Sequence, residues 1–291
     1  MKVAILGKFI NSDPTEYITK LISLLEKRDV SIHLELEYYN QLKKSLPKNI
    51  NSFIKLDKSF DLLISIGGDG TILKAITFVQ HLSIPIVGVN SGRLGFLAKI
   101  KLEKLEEAIE EIISGNYSIS ERSLIEVTTS EKNEELSILN FALNEIAVSR
   151  KNTTSMISIE TKLDNKYLNS YWADGLIVST PTGSTGYSLS CGGPIIMPEA
   201  ENLVITPIAP HNLNARPLII ADNTEITLKV DGRENEFLIS LDSRITTLSN
   251  ANVVVIKKSS FKIKMIELEN ESFLVTLREK LMWGQDKRNL Q

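Results

Sequence analysis

The sequence predicts two domains of different class: an α/β domain with a mostly parallel sheet, followed by a β-rich domain. Two observations support this division. Up to about residue 120, short apolar runs alternate with segments of helical periodicity, which is typical of a parallel sheet covered by helices. Beyond that point, short strand-like segments follow one another without long helices between them, which is typical of a β-rich domain.

The first domain is expected to cover residues 1–121 and to be Rossmann-like. Its predicted strands are short and apolar, as in a sheet buried on both faces: Val3–Gly7, Asp61–Ile66 and Ile84–Asn90. A helix is expected to begin near Asp13, Pro14 and Glu16, which combine a cap, a first-turn proline and an early glutamate. A second helix carries an apolar face from Leu102 to Ile113 and is expected to stop at Gly115.

The second domain is expected to cover residues 122–267 and to resemble a β-sandwich. Its predicted strands share short apolar or alternating patterns: Leu124–Thr129, Ala142–Ser149, Met156–Thr161, Leu176–Thr180, Leu203–Pro207, Glu225–Val230, Phe237–Leu241 and Val253–Lys257. A helix near Glu271–Trp283 follows. We expect this C-terminal segment, about 268–291, to return to the first domain.

Composition narrows the class of protein. The 291 residues are 42% hydrophobic and 24% charged with a net charge of -3, the balance of a soluble globular chain without a basic surface for nucleic acid or membranes. The single cysteine, Cys191, allows no internal disulfide and fits a cytoplasmic location. The three histidines are scattered, so no resident metal site is expected.

The stretch GGDGT, between a buried strand and a helical pattern, predicts a phosphate-binding loop. Its residues Gly67, Gly68, Gly70 and Thr71 would expose backbone N–H groups at a helix N-terminus, where the helix dipole favours anions. Asp69 repels phosphate, so we expect it to accept a proton or to contact a metal ion. The alternative is an ordinary turn aspartate. A second glycine-rich loop, Gly92–Gly95, also follows a strand and is expected at the same sheet edge.

Three polar clusters stand out in the second domain. Asn144 and Glu145 interrupt an apolar strand, where they can hydrogen-bond a base edge and hydroxyl groups, or mark an edge-strand irregularity. Asp174 precedes a strand and can accept from sugar hydroxyls, or serve as a turn residue. The loop 181–193 is rich in glycine and hydroxyl groups and can bind a diphosphate, with Tyr187 against a base; the alternative is a flexible linker.

These motifs together resemble one family. GGDGT alone resembles the donor motif of NAD kinases, of diacylglycerol and sphingosine kinases and, more distantly, of phosphofructokinases. The pair at 144–145, the segment DGLIVSTPTGSTGYSLSCGGPI at 174–195 and KLMWGQDKR at 280–288 resemble the NAD kinases specifically.

The resemblance implies an enzyme that phosphorylates the 2′-hydroxyl of the adenosine ribose of NAD, giving NADP, usually from ATP with Mg²⁺ that arrives with the nucleotide. It implies a homo-oligomer, a dimer or a tetramer. Asp69 matches the general base. The residues that match NAD contacts are Asp69, Gly70, Lys74, Phe96, Asn144, Glu145, Asp174, Thr182, Thr185, Gly186, Tyr187, Ser188, Leu189, Ser190, Ala209 and Arg244.

Two residues depart from the common family pattern. Trp172 stands where many bacterial members have a basic residue, and Arg244 stands where many have glutamine. Two other functions stay open at this point. A soluble diacylglycerol-type kinase would explain GGDGT alone, and a non-catalytic dinucleotide sensor on the same fold would explain the second-domain clusters without needing Asp69.

Overall fold

The computed structural model describes residues 1–7, 15–152, 155–212, 214–269 and 271–283. The chain divides into two compact units, which we call unit 1 (Met1–Glu121 with Ile263–Gln291) and unit 2 (Arg122–Lys262). The expected helix start at Asp13 and Pro14, and most of the stretch 280–288, lie outside the described residues.

The elements are numbered in chain order. The α-helices of the described residues are α1 Thr15–Glu26, α2 Leu36–Leu42, α3 Asp69–Val79, α4 Leu105–Ser114, α5 Glu134–Ile138, α6 Tyr187–Ser190 and α7 Phe273–Leu281. The strands are β1 Lys2–Gly7, β2 Ser31–Glu35, β3 Asn51–Phe53, β4 Leu62–Gly67, β5 Ile86–Asn90, β6 Ile100–Lys101, β7 Ser118–Thr129, β8 Phe141–Ala142, β9 Glu145–Arg150, β10 Ile157–Leu163, β11 Lys166–Ala173, β12 Gly175–Ser179, β13 Asn202–Ile208, β14 Leu218–Ala221, β15 Ile226–Asp231, β16 Glu236–Leu241, β17 Arg244–Ser249 and β18 Val253–Glu267.

Unit 1 is built on a parallel sheet in the order β5-β4-β1-β2-β3. Every residue of β4 is buried, because helices cover both faces of such a sheet. In the pairing of β4 with β5, Gly67 lies opposite Asn90. The loops that follow these two strands therefore leave the same sheet edge side by side, as expected.

The helix α4 shows how the sequence sets the ends of an element. Its residues Leu105, Ala108, Ile109 and Ile112 are buried on one face and belong to the apolar core of unit 1. The helix ends at Gly115, whose φ of 80° is left-handed and whose N–H donates to the carbonyls of the last turn. The predicted stop at this glycine is confirmed.

Unit 2 consists of two antiparallel layers. One is the six-stranded sheet β14-β13-β12-β9-β16-β17. The other contains β11, β10, β15 and the first part of β18. Apolar side chains from both layers, such as Val148 and Leu176 on one side and Ile159 and Leu228 on the other, form a single core cluster. This is a β-sandwich, so the predicted fold class is confirmed.

Several boundaries differ from the sequence prediction. α3 begins at Asp69, so this aspartate, expected in a loop, belongs to the first helical turn. The expected strand Ala142–Ser149 is interrupted, because β8 ends at Ala142 and β9 begins at Glu145. β18 continues to Glu267, well past the predicted end at Lys257.

Candidate active site

The GGDG turn joins β4 to α3 in unit 1. Gly67 has a φ of 154°, and a Cβ there would collide with the Thr71 side chain, so this position requires glycine. Gly68 is the N-cap of α3, and within the described residues no side chain caps it. A Cβ at Gly68 or Gly70 would have no atom within 4 Å. The first helical turn is therefore open to an anion.

Asp69 has both carboxylate oxygens engaged by backbone donors. The N–H of Phe96 donates to Oδ2 at 2.8 Å, and the N–H groups of Leu97 and Ala98 donate to Oδ1 at 3.0 Å each. We call this arrangement the Asp69 clasp. An ionised carboxylate has about four acceptor directions, so roughly one stays available for a proton or a metal ion.

The loop between Asn90 and Ala98 is shaped around this carboxylate. Asn90 is buried, its Nδ2 donates to the carbonyls of Arg93 and Ala98 at 2.8 and 3.2 Å, and its Oδ1 accepts from the N–H of Gly92 at 2.7 Å. A Cβ at Gly95 would collide with Asp69 Oδ1. The two glycine-rich loops of unit 1 therefore form one structure with Asp69 between them.

Two other residues predicted as NAD contacts belong to unit 1. The Phe96 ring is half-buried and lies 6.2 Å from the ring of Phe273, centroid to centroid. Lys74 Nζ donates to Glu37 Oε2 at 3.0 Å and lies 3.9 Å from Glu35 Oε2. Its charge is thus already shared with two carboxylates, and a phosphate would have to compete with them.

In unit 2, a second carboxylate binds the segment that carries Asn144 and Glu145. Asp242 Oδ2 accepts from the N–H of Leu143 at 3.0 Å, and Oδ1 accepts from Asn144 and Glu145 at 2.8 and 3.2 Å. The N–H of Asp242 donates back to the carbonyl of Glu145 at 2.9 Å. We call this arrangement the Asp242 clasp.

Glu145 is a buried carboxyl group with an unusual environment. Within the described part of the chain, its Oε2 atom has no hydrogen-bond partner. Burial and, to a smaller extent, the charge of Asp242 raise the pKa of Glu145 to about 7, although the hydrogen bond from the N–H of Tyr187 opposes the rise. A ligand hydroxyl that donates to this carboxylate would remove the cost of leaving it unpaired.

The loop 181–186 packs directly against this pair. Thr180 Oγ1 donates to the carbonyl of Leu143 and accepts from the N–H of Gly183 at 3.1 Å. A Cβ at Gly183 would collide with the backbone of Asn144, and one at Gly186 would lie 3.0 Å from Glu145 Oε2. The loop is ordered by these contacts, so the flexible-linker interpretation is wrong.

Tyr187 and Asp174 complete the group in unit 2. Tyr187 begins α6, and its side chain is 44% exposed. Burial raises its pKa, and the nearby Cys191, Asp174 and Glu145 raise it further. Asp174 Oδ2 accepts from the Arg150 guanidinium at 2.9 Å. Since the charges of Asp174 and Glu145 both act on Tyr187, the three predicted residues lie near one another.

Other predicted contacts have internal hydrogen bonds. Ser188 is fully buried, and its Oγ pairs with Thr206 Oγ1 at 2.8 Å. Thr185 Oγ1 donates to the carbonyl of the buried Thr182 at 3.2 Å. Leu189 is half-buried and Ser190 is exposed. A ligand can reach the backbone or the exposed members of this loop more easily than the Ser188 hydroxyl.

Ala209 and Arg244, two further predicted NAD contacts, also lie in unit 2. Ala209 has a left-handed φ of 44° directly after Ile208, whose carbonyl accepts from the N–H of Asp174 at 3.0 Å. The Arg244 guanidinium donates to the carbonyls of Leu139, at 2.8 Å, and of Phe141.

Trp172 is exposed, and its ring lies 4.6 Å from that of His211. Its carbonyl also accepts from the His211 N–H at 2.9 Å. The tryptophan therefore has a defined partner inside unit 2, although it replaces a basic residue of the common family pattern.

Sequence reasoning missed Asp242, Asn90 and Thr180, which hold the binding segments in place. Asn90 and Thr180 each end a predicted strand, so their position at the exit of a strand was a usable signal. Asp242 lies in a two-residue turn and gives no such signal, because its partners are 97 to 99 residues away in the chain.

Comparison with known proteins identifies relatives over the whole length. Residues 3–117 match the model of the ATP-NAD kinase N-terminal domain, and residues 143–268 match that of the ATP-NAD kinase C-terminal domain. The NAD kinase of Christiangramia forsetii is 54% identical, over 99% of this chain and 100% of its own. The NAD kinase of Bacteroides fragilis is 43% identical over the same shares.

Solved structures share the fold. The structure of yeast NADH kinase complexed with NADH matches 98% of this chain and 88% of its own with a TM-score of 0.87. The structure of an NAD kinase from Archaeoglobus fulgidus in complex with ATP matches 97% and 99% with a TM-score of 0.75. Both are 24% identical to this chain, so they bear on the fold alone.

Proposed function

Because the chain belongs to the NAD kinase family, we propose that it transfers the γ-phosphate of ATP to the 2′-hydroxyl of the adenosine ribose of NAD, giving NADP. The observation that carries this proposal is the Asp69 clasp: a carboxylate held at fixed backbone donors beside an open helix N-terminus. Phosphoryl transfer depends on positioning and charge stabilisation, which this arrangement supports.

In unit 1, the GGDG turn would hold the donor. The open N–H groups at Gly68 and Gly70 bind phosphate oxygens, and the dipole of α3 adds partial positive charge there. Asp69 takes the proton of the attacking hydroxyl on its remaining acceptor direction. Since the clasp fixes both oxygens, the carboxylate loses little entropy when it meets that hydroxyl.

In unit 2, the dinucleotide would be held by the group around Glu145. The Asn144 amide offers a donor and an acceptor to the adenine edge, and the Glu145 carboxylate accepts from ribose hydroxyls. Asp174 accepts from a second ribose, and Tyr187 lies against a base. The full set of proposed NAD contacts is the one that the family resemblance implies. Several of its members have side-chain polar groups that already have partners within the protein: Asp69, Lys74, Asp174, Thr185, Ser188 and Arg244.

Mg²⁺ is proposed to arrive with ATP. The ion usually keeps several waters and binds through substrate phosphates and one or two carboxylates. Among the described residues, no group of three or more His, Cys, Asp or Glu is arranged to hold a metal, and Asp69 at the open turn fits a single carboxylate contact. When bound, the ion would neutralise charge on the donor oxygens.

We also propose that units 1 and 2 correspond to the donor domain and the NAD domain, and that the protein is a cytoplasmic homo-oligomer of two or four chains. No helix of the described residues is long and apolar enough to cross a bilayer. Light scattering after size exclusion measures the mass in solution, and a monomer would contradict the oligomer.

The deciding experiment is an assay of NADP formation. Purified protein is incubated with NAD or NADH and with ATP or polyphosphate, with and without Mg²⁺, and labelled ATP with diacylglycerol is run in parallel. The proposal expects NADP from NAD and ATP, with no labelled lipid. Binding of NAD without any product would indicate the dinucleotide sensor, and labelled lipid would indicate the diacylglycerol-type kinase.

A further inference from the structure

We propose that Asp242 is a positioning residue, whose carboxylate holds the backbone of Leu143, Asn144 and Glu145 so that the side chains of Asn144 and Glu145 face the dinucleotide. The inference rests on the proposed function, since it concerns the same NAD site. It adds a residue outside the set of proposed contacts, in a turn that sequence reasoning did not single out.

Four hydrogen bonds join the turn at Asp242 to the segment 143–145. Three consecutive N–H groups donate to the Asp242 carboxylate at 2.8 to 3.2 Å, and the Asp242 N–H donates to the carbonyl of Glu145 at 2.9 Å. Hydrogen bonds to an ionised acceptor are stronger than neutral ones, so this contact restrains the segment firmly.

The segment needs this support because the strand is broken there. β8 ends at Ala142 and β9 begins at Glu145, and the pairing of β9 with β16 starts at Ile146 opposite Leu241. The N–H groups of Leu143 and Asn144 therefore lie outside that ladder, while the Leu143 side chain is fully buried. Without Asp242, these donors would be left unpaired, which folded proteins avoid.

Arg244 supports the same segment from the preceding residues. Its guanidinium donates to the carbonyls of Leu139 and Phe141, and it lies 5.4 Å from the centre of the Phe141 ring. Burial raises the pKa of Asp242, and the three backbone hydrogen bonds and then the charge of Arg244 oppose that rise. Asp242 in the turn and Arg244 at the start of β17 thus hold both ends of the stretch 139–145.

Asp242 also acts on Glu145 through its charge. The charged and titratable groups around Glu145 are Asp242 from the β16–β17 turn and Tyr187 from α6, and Tyr187 in turn faces Asp174 and Cys191. Asp242 raises the pKa of Glu145, so loss of its charge should lower that pKa. A residue with only a structural role would not move it.

The test is Asp242→Asn. The left-handed φ of 53° at this position is one that asparagine adopts readily, so the turn should persist. The amide places an N–H group against backbone N–H donors. We expect the KM for NAD to rise about tenfold while kcat and the KM for ATP stay within about twofold. The pH midpoint of NAD binding should move to lower pH.

Asp222→Asn is the matched control. Asp222 is a buried aspartate of the same unit, paired with Lys258, and none of its described contacts is with the segment 143–145. This variant should lose stability but keep the wild-type KM for NAD and pH midpoint. Hydrogen exchange gives a readout that needs no activity: the N–H groups of residues 143–145 should exchange faster in Asp242→Asn alone.

The outcomes separate this inference from the proposed function. If the wild-type protein makes no NADP, the proposed function fails. The positioning role is then decided by NAD affinity: faster exchange at 143–145 in Asp242→Asn with unchanged NAD affinity would overturn it. If the wild-type protein is active and Asp242→Asn matches it in KM for NAD and pH midpoint, the inference is wrong. Should Asp242→Asn not fold, Asp242→Glu decides, because moving the carboxylate by one methylene must raise the KM for NAD.

Discussion

The Asp69 clasp of unit 1 and the Asp242 clasp of unit 2 use the same local device in different surroundings. In each, a carboxylate accepts from three consecutive backbone N–H groups. Asp69 lies in the first turn of a helix whose neighbouring glycines leave open space. Asp242 lies in a tight turn, where Arg244 provides the opposite charge and Glu145 is a close neighbour.

The difference teaches that the hydrogen-bond pattern alone does not define the role of an aspartate. Both carboxylates position a segment of backbone. Only Asp69 is also next to space that a phosphate can enter, so only Asp69 is suited to take part in the reaction. If this is right, changes at Asp69 should act on turnover, and changes at Asp242 should act on NAD binding.

The largest effect is expected from Asp69→Asn. Loss of a general base typically costs about 10²–10⁴-fold in rate, so turnover should fall by that factor. The structure adds a second consequence. The amide would place an N–H group against the N–H donors of Phe96 or of Leu97 and Ala98, so the loop should also loosen. NAD affinity should stay within a few-fold, since Asn144 and Glu145 are untouched.

Steady-state NADP formation, NAD calorimetry and thermal melting measure these three quantities on the same preparation. Asp242→Asn serves as the comparison, because it also disturbs a clasp but should keep kcat within about twofold. If Asp69→Asn retained near-normal turnover, the two clasps would be equivalent, and the mechanism would rest on positioning and charge neutralisation alone.

The second prediction concerns pH and Glu145. In the folded protein the pKa of Glu145 is about 7, above its ordinary value of 4.5. The protonated carboxyl group therefore favours the folded state: its contribution to stability is fully present below pH 4.5 and is lost as the pH rises through 7. The difference between the two pKa values corresponds to about 3 kcal/mol in the free energy of unfolding. Wild-type protein should therefore lose stability between pH 5 and 8 relative to Glu145→Gln, which stays neutral throughout.

NAD binding should respond in the opposite direction. The ionised carboxylate is the better acceptor for ribose hydroxyls, so affinity should increase as pH rises through about 7 in the wild-type protein and stay flat in Glu145→Gln. Denaturant melts and calorimetry at several pH values measure both trends. Parallel pH curves for the two proteins would show that Glu145 does not titrate in this range.

The third prediction uses two glycines of one loop. A Cβ at Gly95 would collide with the Asp69 carboxylate, whereas a Cβ at Gly92 would have no atom within 4 Å. Gly95→Ala should displace the carboxylate and reduce turnover roughly 10- to 100-fold, since a misplacement of about 1 Å can cost 10²-fold. Gly92→Ala is the control and should be nearly neutral. Equal activities would mean that the clasp tolerates movement.

The fold class was predictable because buried elements carry a strong pattern. The mostly apolar β1, β4 and β5 and the amphipathic α4 all appear where the sequence indicates them. Sequence reasoning missed strands that lie at or next to the edges of their sheets or pair with a single neighbour, namely β2, β3, β6, β11, β14 and β17. An edge strand buries fewer side chains, so its residues can be polar and its pattern is weak.

The predictability of the site follows the same physical rule. Asp69 stands out because its own neighbours, a buried strand and three glycines, reveal the turn. Asp242 cannot be found in this way, since its role depends on a backbone segment almost one hundred residues upstream. Local sequence thus indicates the residues that face a ligand more readily than those that hold them in place.

The smallest effect, and the sharpest contrast, is expected from Gly70→Ala. Gly70 lies in the first turn of α3, so alanine should favour the helix by up to about 0.5–1 kcal/mol. The added Cβ enters the open space proposed for the donor phosphate, so the KM for ATP should rise roughly five- to tenfold, equivalent to about 1–1.4 kcal/mol.

Thr77→Ala, in the same helix away from the turn, is the matched control and should leave the KM for ATP unchanged. Melting curves and ATP titrations of NADP formation measure the two effects. A variant that is more stable and binds ATP less well would separate the glycine's functional role from its structural one, whereas an unchanged KM would remove Gly70 from the donor site.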